Sequence, residues 1–400
     1  GYAQKVYPYL RGVADFWEKD LVCRDGVYHV VGDGMHERTD GNIRDNGVPE
    51  NPVNTLGYLK TFFTWMPRIS EALDLDEKMR EKWLEIAENL APYPKGTIRE
   101  IQENPTLWKE VDVKLEDLLP EEMLDKEIYY DEGIGGKWSF HFPGNVMQIY
   151  PGNAIGLGSA PEELEVARNT VQIHALVENA LGELEYRKAL EEAEFADKDN
   201  ANNLLFNSNG ELENGEAYSN GMESGGVKNP HFYKAGAFNA SNLSCLFFTA
   251  AVRVGYDPEI IWKEMRDMIL NRGIPNGFLK ENPHGIEQLN TIPDAIQEMM
   301  LQSYEGVIRI FPVWPRAKHP NASFRNFRAW GGFEVSATLK DGEVERVTVL
   351  SHKGHPCRIK NPWPGKSVKV SYEYGRPDEV HFGKYINIEL YKEEHAELVI

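Results

Sequence analysis

The hydrophobic period of this chain changes near residue 306, and that change constrains its fold more than any other feature. Before it, apolar residues recur at steps of three and four, which puts them on one face of a helix; after it they alternate, which puts them on one face of a strand. Val6, Leu10, Val13 and Trp17 predict a helix over Tyr2–Asp20, and Leu56, Leu59, Phe63, Met66, Ile69 and Leu73 predict a second. Met79, Trp83, Ile86 and Leu90 mark a third, and residues 161–194 a long one that opens on Pro161 and an acidic first turn, both suited to a helix N-terminus. Further helices are expected over 241–254, 258–271 and 291–302. Beyond Gly306, Phe333, Val335 and Ala337 alternate with Glu334 and Ser336, and Asp341-Gly342 then separates them from Val344 to Leu350, the signature of a hairpin. Short strands follow over 357–359, 368–372 and 385–391. The expected architecture is mainly α with a β appendage, divided into residues 1–305 and 306–400.

Long connections over 31–54, 92–147 and 196–239 separate the helices, and connections of that length in a folded domain tend to be functional. With 63 acidic against 43 basic residues the formal charge is −20, and no Lys/Arg block interrupts it. Nucleic acid is therefore excluded as an expected partner. No run of 18 apolar residues predicts a membrane span, and within the given residues no charged n-region is followed by an apolar h-region of the signal-peptide kind. Because the sequence opens on Gly1-Tyr2 and enters a helix at once, the natural N-terminus is expected upstream, and localisation is not readable from this end. Cys23, Cys245 and Cys357 are too widely spaced for a disulfide framework or a zinc site, so three free or buried thiols are expected. No metal is expected, since pairs such as His36/Glu37 lack the i, i+4 ligand spacing, and without a glycine-rich phosphate loop no nucleotide cofactor is expected either.

Several segments resemble glycoside hydrolase family 95, which comprises α-L-fucosidases and related α-L-galactosidases. The stretch from Ile274-Pro-Asn-Gly-Phe through Gly285-Ile-Glu-Gln to Glu298-Met-Met-Leu-Gln-Ser-Tyr-Glu-Gly, followed by Ile310-Phe-Pro and Gly331-Gly-Phe-Glu-Val, carries the resemblance most densely. Tyr7-Pro-Tyr-Leu-Arg-Gly-Val-Ala-Asp-Phe-Trp resembles the family's YPLMKGAAEFF helix and Ile149-Tyr-Pro-Gly-Asn its LYPGN turn. Val349-Leu-Ser-His-Lys-Gly-His-Pro-Cys-Arg resembles the start of the family's C-terminal module. The resemblance implies an (α/α)6 toroid, incomplete here because only about eight helices are counted, followed by a small β-sandwich. It also implies a periplasmic or secreted protein acting on an oligosaccharide or polysaccharide without a cofactor.

Hydrolysis with inversion needs a protonated carboxyl at the leaving oxygen and a base on the opposite face. In register with the family's QIDGNFG stretch, the resemblance places an acidic side chain at Glu287, although Gln288-Leu-Asn-Thr replaces the residues after it. For the general acid, the segment after Pro92-Tyr93 offers Glu100, and Tyr129-Tyr-Asp-Glu-Gly-Ile-Gly-Gly-Lys-Trp138 offers Glu132 among aromatics and glycines. Aromatic crowding raises a carboxyl toward the range a general acid needs. The sugar-contact candidates are Trp138, His141 and Asn145, around the counterpart of a His-rich stretch in the family, with His284 beside Glu287 and the polar pair His36 and Glu37. The function these imply is inverting hydrolysis of a terminal α-L-fucosyl or α-L-galactosyl linkage. A non-catalytic glycan-binding homologue and a polysaccharide lyase are the alternatives.

Overall fold

A computed structural model describes residues 1–33, 50–101, 105–106, 115–130, 138–139, 144–196, 244–272 and 287–400. Two compact units divide it: residues 1–254 with 266–289, and residues 255–265 with 290–400. The division runs through two helices rather than through a single point in the chain.

In the first unit, α1 (Tyr2–Asp20) buries Tyr7 and Ala14 most deeply, with Leu10 and Trp17 packed beside them. The buried face is thus turned by one residue from the Val6/Val13 line expected from hydropathy. Tyr7 occupies the core because its hydroxyl has somewhere to go, donating to Asp76 at 2.7 Å. A hairpin of β1 (Val22–Arg24) and β2 (Val27–His29) turns at Asp25-Gly26, both with positive φ as a two-residue type I′ turn requires. Helices α2 (Val53–Leu73) and α3 (Arg80–Glu88) follow as a helical hairpin. Leu56, Leu59, Phe63 and Met66 of α2 share one core with Trp83 and Ile86 of α3. Asp74, in the left-handed region, ends α2 and lets the backbone N–H of Leu75 reach back to Ser70 O at 3.0 Å.

Strands β3 (Lys95–Thr97) and β4 (Glu127–Tyr129) pair antiparallel, with Lys95 opposite Tyr129 and Thr97 opposite Glu127. Ile98 and Ile128 pack with Ile173 and Val177 of the long α4 (Pro161–Ala196). Then come α5 (Ser244–Arg253), α6 (Pro258–Arg272) and α7 (Glu287–Met300). Helix α7 begins four residues earlier than the sequence predicts and ends before Leu301–Gln302, which instead pairs with Arg309–Ile310. Among the described residues no helix is long and apolar enough to cross a membrane, and no group of three His, Cys, Asp or Glu side chains could hold a metal.

The second unit contains an antiparallel six-stranded sheet of β5 (Ala322–Ala329), β6 (Phe333–Lys340), β7 (Glu343–Ser351), β9 (Val368–Tyr372), β10 (Glu379–His381) and β12 (Glu394–Val399). Its spatial order is β10-β9-β12-β7-β6-β5. Strands β8 (Pro356–Lys360) and β11 (Tyr385–Glu389) form a separate antiparallel pair. Burial alternates along β6, with Phe333, Val335, Ala337 and Leu339 inside, as the sequence pattern predicts. Asp341-Gly342 closes the β6–β7 hairpin with both residues at positive φ. In β5 the alternation breaks at Asn326, a left-handed residue at a bulge whose backbone N–H is taken up by Ser336 Oγ at 3.0 Å. Of the cysteines whose side chains are described, Cys23 is exposed and Cys357 buried, and both thiols are free.

Candidate functional site

The first unit contains a buried polar frame that ties β4, α4 and the turn before Tyr150-Pro151 together. It starts from α4, where one stripe presents Asn169, Thr170 and His174 between the apolar Ile173 and Val177. Asn169 Nδ2 donates to Glu127 O at 3.1 Å, and Thr170 Oγ1 accepts the N–H of Tyr129 at 2.8 Å while donating to Val166 O. Asn145 then closes the frame: its Nδ2 donates to Tyr129 O at 3.1 Å and its Oδ1 faces His174 Nε2. Because the amide nitrogen is already committed, Oδ1 is the acceptor and Nε2 carries the imidazole proton. Burial holds His174 neutral, with its pKa lowered to about 3, and the edge of Phe247 meets its ring with centroids 5.7 Å apart. Burial penalises the charged form of the imidazole.

The turn over 144–153 is pressed against α2. A Cβ on Gly57 would lie 2.6 Å from Gln148 Cα, and one on Gly152 2.6 Å from Met147 O, so both positions need glycine for the close approach. Arg253, at the end of α5, is buried and donates to Ile149 O at 3.2 Å and to Asn153 Oδ1, with its guanidinium 4.7 Å from the Tyr150 ring centroid. Tyr129 and Tyr93 meet edge to face at 5.7 Å, and burial raises both phenol pKa values. The frame therefore ties Asn145 to Tyr129 and His174.

The predicted site residues fall differently on this framework. Glu287 is the first residue of α7. Trp138 lies in the two-residue strand Trp138–Ser139, which pairs in parallel with Pro105–Thr106. Glu132, His141, His284, His36 and Glu37 lie outside the described residues. Glu100 is exposed, and its carboxylate accepts the N–H of Thr97 at 2.8 Å while Thr97 Oγ1 accepts the N–H of Glu100 at 3.2 Å. That reciprocal pair is a capping box for the single turn Ile98–Ile101, a local use for the carboxylate that was readable from the Thr-x-x-Glu spacing. From the β3–β4 register, Glu100 follows the end of the pair beside Glu127, whereas the chain toward Glu132 leaves beside Lys95. Asn145, a sugar-contact candidate, is 1% exposed, with both ends of its amide engaged by Tyr129 and His174. Sequence reasoning did not single out His174, Thr170, Gln148 or Arg253. For His174, Thr170 and Arg253 the signal was a polar residue on the apolar face of a helix, and Gln148, in a turn, carried none.

Residues 302–392 match a family model described as glycoside hydrolase family 95, C-terminal domain. No curated protein matches the chain. The matched span takes in β5 through β11, the region of alternating burial, and includes Gly331-Gly-Phe-Glu-Val and the Val349–Arg358 run. Through this C-terminal domain, the chain is related to glycoside hydrolase family 95.

Proposed function

We propose that the protein is a glycoside hydrolase that releases a terminal α-L-fucosyl or α-L-galactosyl unit from a glycan with inversion at the anomeric carbon. The observation that carries this reading is the family match over residues 302–392. In the proposal, residues 1–305 belong to an (α/α) toroid, supported by the α2–α3 hairpin, and residues 306–400 form a β-sandwich, supported by the one-sided burial of β6 and β8.

Inversion needs two carboxyls roughly 6.5–9.5 Å apart with a water between the base and the sugar. Glu287, on the strength of the motif around it, is assigned to the water side. For the acid, Glu132 is favoured over Glu100. The capping box and solvent exposure of Glu100 account for its carboxylate locally, while Glu132 follows Tyr129, which the buried frame holds. His284, Trp138, His141, His36 and Glu37 are proposed to hydrogen-bond or stack on the sugar.

The test is to assay the complete gene product on aryl α-L-fucoside and aryl α-L-galactoside beside Glu287→Gln, Glu132→Gln and Glu100→Gln. Hydrolysis is expected in the wild type, with kcat/KM lower by about a hundredfold or more in Glu287→Gln and Glu132→Gln. Undiminished hydrolysis in Glu287→Gln would contradict its assignment. The substitution of Gln288-Leu-Asn-Thr for the family's Gly-Asn-Phe-Gly favours a second reading, a glycan-binding homologue. Sugar binding with no turnover on either substrate would establish that reading instead.

A further inference from the structure

Because neighbouring strands of the six-stranded sheet are antiparallel, the C-terminal ends of β5, β7 and β9 lie at the same end as the N-terminal ends of β6 and β12. Four connections meet there, over residues 330–332, 352–355, 373–378 and 390–393. Each of three of them carries an exposed aromatic: Trp330 is 44% exposed, Tyr374 75% and Tyr391 68%. Among the described residues of the unit, the one other exposed aromatic is Phe382, 73% exposed. It follows His381, which pairs with Val368 at the opposite end of the sheet.

These connections are braced against one another. His352 N donates to Gly332 O at 2.9 Å, His355 Nδ1 to Gly331 O at 3.0 Å, and Glu393 N to Ser351 O at 2.6 Å. Gly332 and Gly354 sit so close to their neighbours that a Cβ would come within 2.7 Å of the Lys353 side chain and 3.0 Å of Lys392 N. Arg376 stacks between the rings of Tyr372, at 4.0 Å, and Tyr391, at 4.9 Å, and is fixed by Glu389 O at 2.9 Å and the buried Glu394 carboxylate at 2.8 Å. Tyr391 is therefore held on one side and open on the other. Tyr374 adopts φ 67°, a left-handed conformation rare for a bulky side chain, and such strain persists where the surroundings impose it, often at binding sites.

Polar groups occupy the same end of the sheet: Arg328 pairs with Glu334 at 3.1 Å, and His352 Nδ1 meets the Glu393 carboxylate at 3.2 Å. Isolated rings accompanied by both acids and bases do not make the continuous apolar patch of a protein interface. They do match a chain of sugar rings, whose apolar faces stack on aromatics while their hydroxyls bond to charged groups. Three strand spacings, or ~14 Å, separate β12, which Tyr391 precedes, from β5, which Trp330 follows, a reach suited to an oligosaccharide rather than a single ring.

We infer that this end of the C-terminal sheet is a platform that binds an extended, uncharged glycan chain, with Trp330, Tyr374 and Tyr391 as stacking surfaces. The inference rests on the carbohydrate reading above but not on its hydrolytic step. Affinity electrophoresis of the complete gene product through gels containing fucosylated xyloglucan tests it. The wild type and Phe382→Ala are expected to be retarded equally, while Trp330→Ala and Tyr391→Ala each weaken binding about tenfold, with aryl α-L-fucoside hydrolysis unchanged in all of them. An unretarded wild type, or a Trp330→Ala/Tyr391→Ala double variant retarded like the wild type, overturns the platform. If retardation depends on the aromatics but no form hydrolyses the fucoside or the galactoside, the hydrolytic reading fails and the platform stands.

Discussion

His174 shows how one buried side chain fixes the pH behaviour of the frame. The unfolded chain takes up a proton on this histidine near its ordinary pKa of 6.5, whereas the folded chain resists it until about 3. Its contribution to stability is therefore complete above about pH 6.5 and declines as pH falls toward about 3, by up to ~1.4 kcal/mol per pH unit. Replacing it by glutamine keeps a donor toward Asn145 and removes the titration. Chemical denaturation at pH 7.5 and pH 5 should show a smaller loss of stability for His174→Gln than for the wild type, and equal losses would contradict burial of a neutral imidazole. Glu100 gives a second contrast at this scale. Glu100→Ala should lower the thermal midpoint slightly, because it removes a cap, and leave kcat/KM unchanged. Glu100→Gln preserves the cap and should change neither.

At the scale of elements, the meeting of α2 with the 144–153 turn makes a prediction that runs against helix propensity. Alanine is favoured over glycine inside a helix by about 1 kcal/mol, yet at Gly57 the added Cβ meets Gln148 backbone at 2.6 Å. Gly57→Ala should destabilise the protein by about 1–3 kcal/mol in urea titrations, and a stabilising result would contradict the close approach. The same comparison shows what was legible in advance. Helices with a clean apolar stripe, such as α2, and the β6–β7 hairpin with its Asp-Gly turn followed directly from spacing. Strand β12 did not, because its inward positions begin with Glu394, a buried carboxylate met by Arg376 from after β9 and by the N–H of Tyr391. Strand β5 was hidden because the bulge at Asn326 breaks its alternation. In α1 the deepest residues are Tyr7 and Ala14, whose places depend on a hydrogen-bond partner and a close contact rather than on hydropathy.

For the whole molecule, the change of period near residue 306 anticipated where helices give way to strands, and the residues of the β region carry the family match. The candidate carboxylates were less legible. A glutamate's chemistry depends on partners distant in sequence, and with 63 acidic residues spacing alone does not separate a capping glutamate from a catalytic one. The frame of Tyr129, Asn145 and His174 joins residues far apart in sequence, which spacing alone does not reveal. The central claim, cleavage of a terminal α-L-glycosidic bond with inversion, is tested most directly by following aryl α-L-fucoside and aryl α-L-galactoside hydrolysis by proton nuclear magnetic resonance with the complete gene product. The account predicts that the sugar first released is the β-anomer, which then mutarotates. First release of the α-anomer, or no release from either substrate, would contradict it.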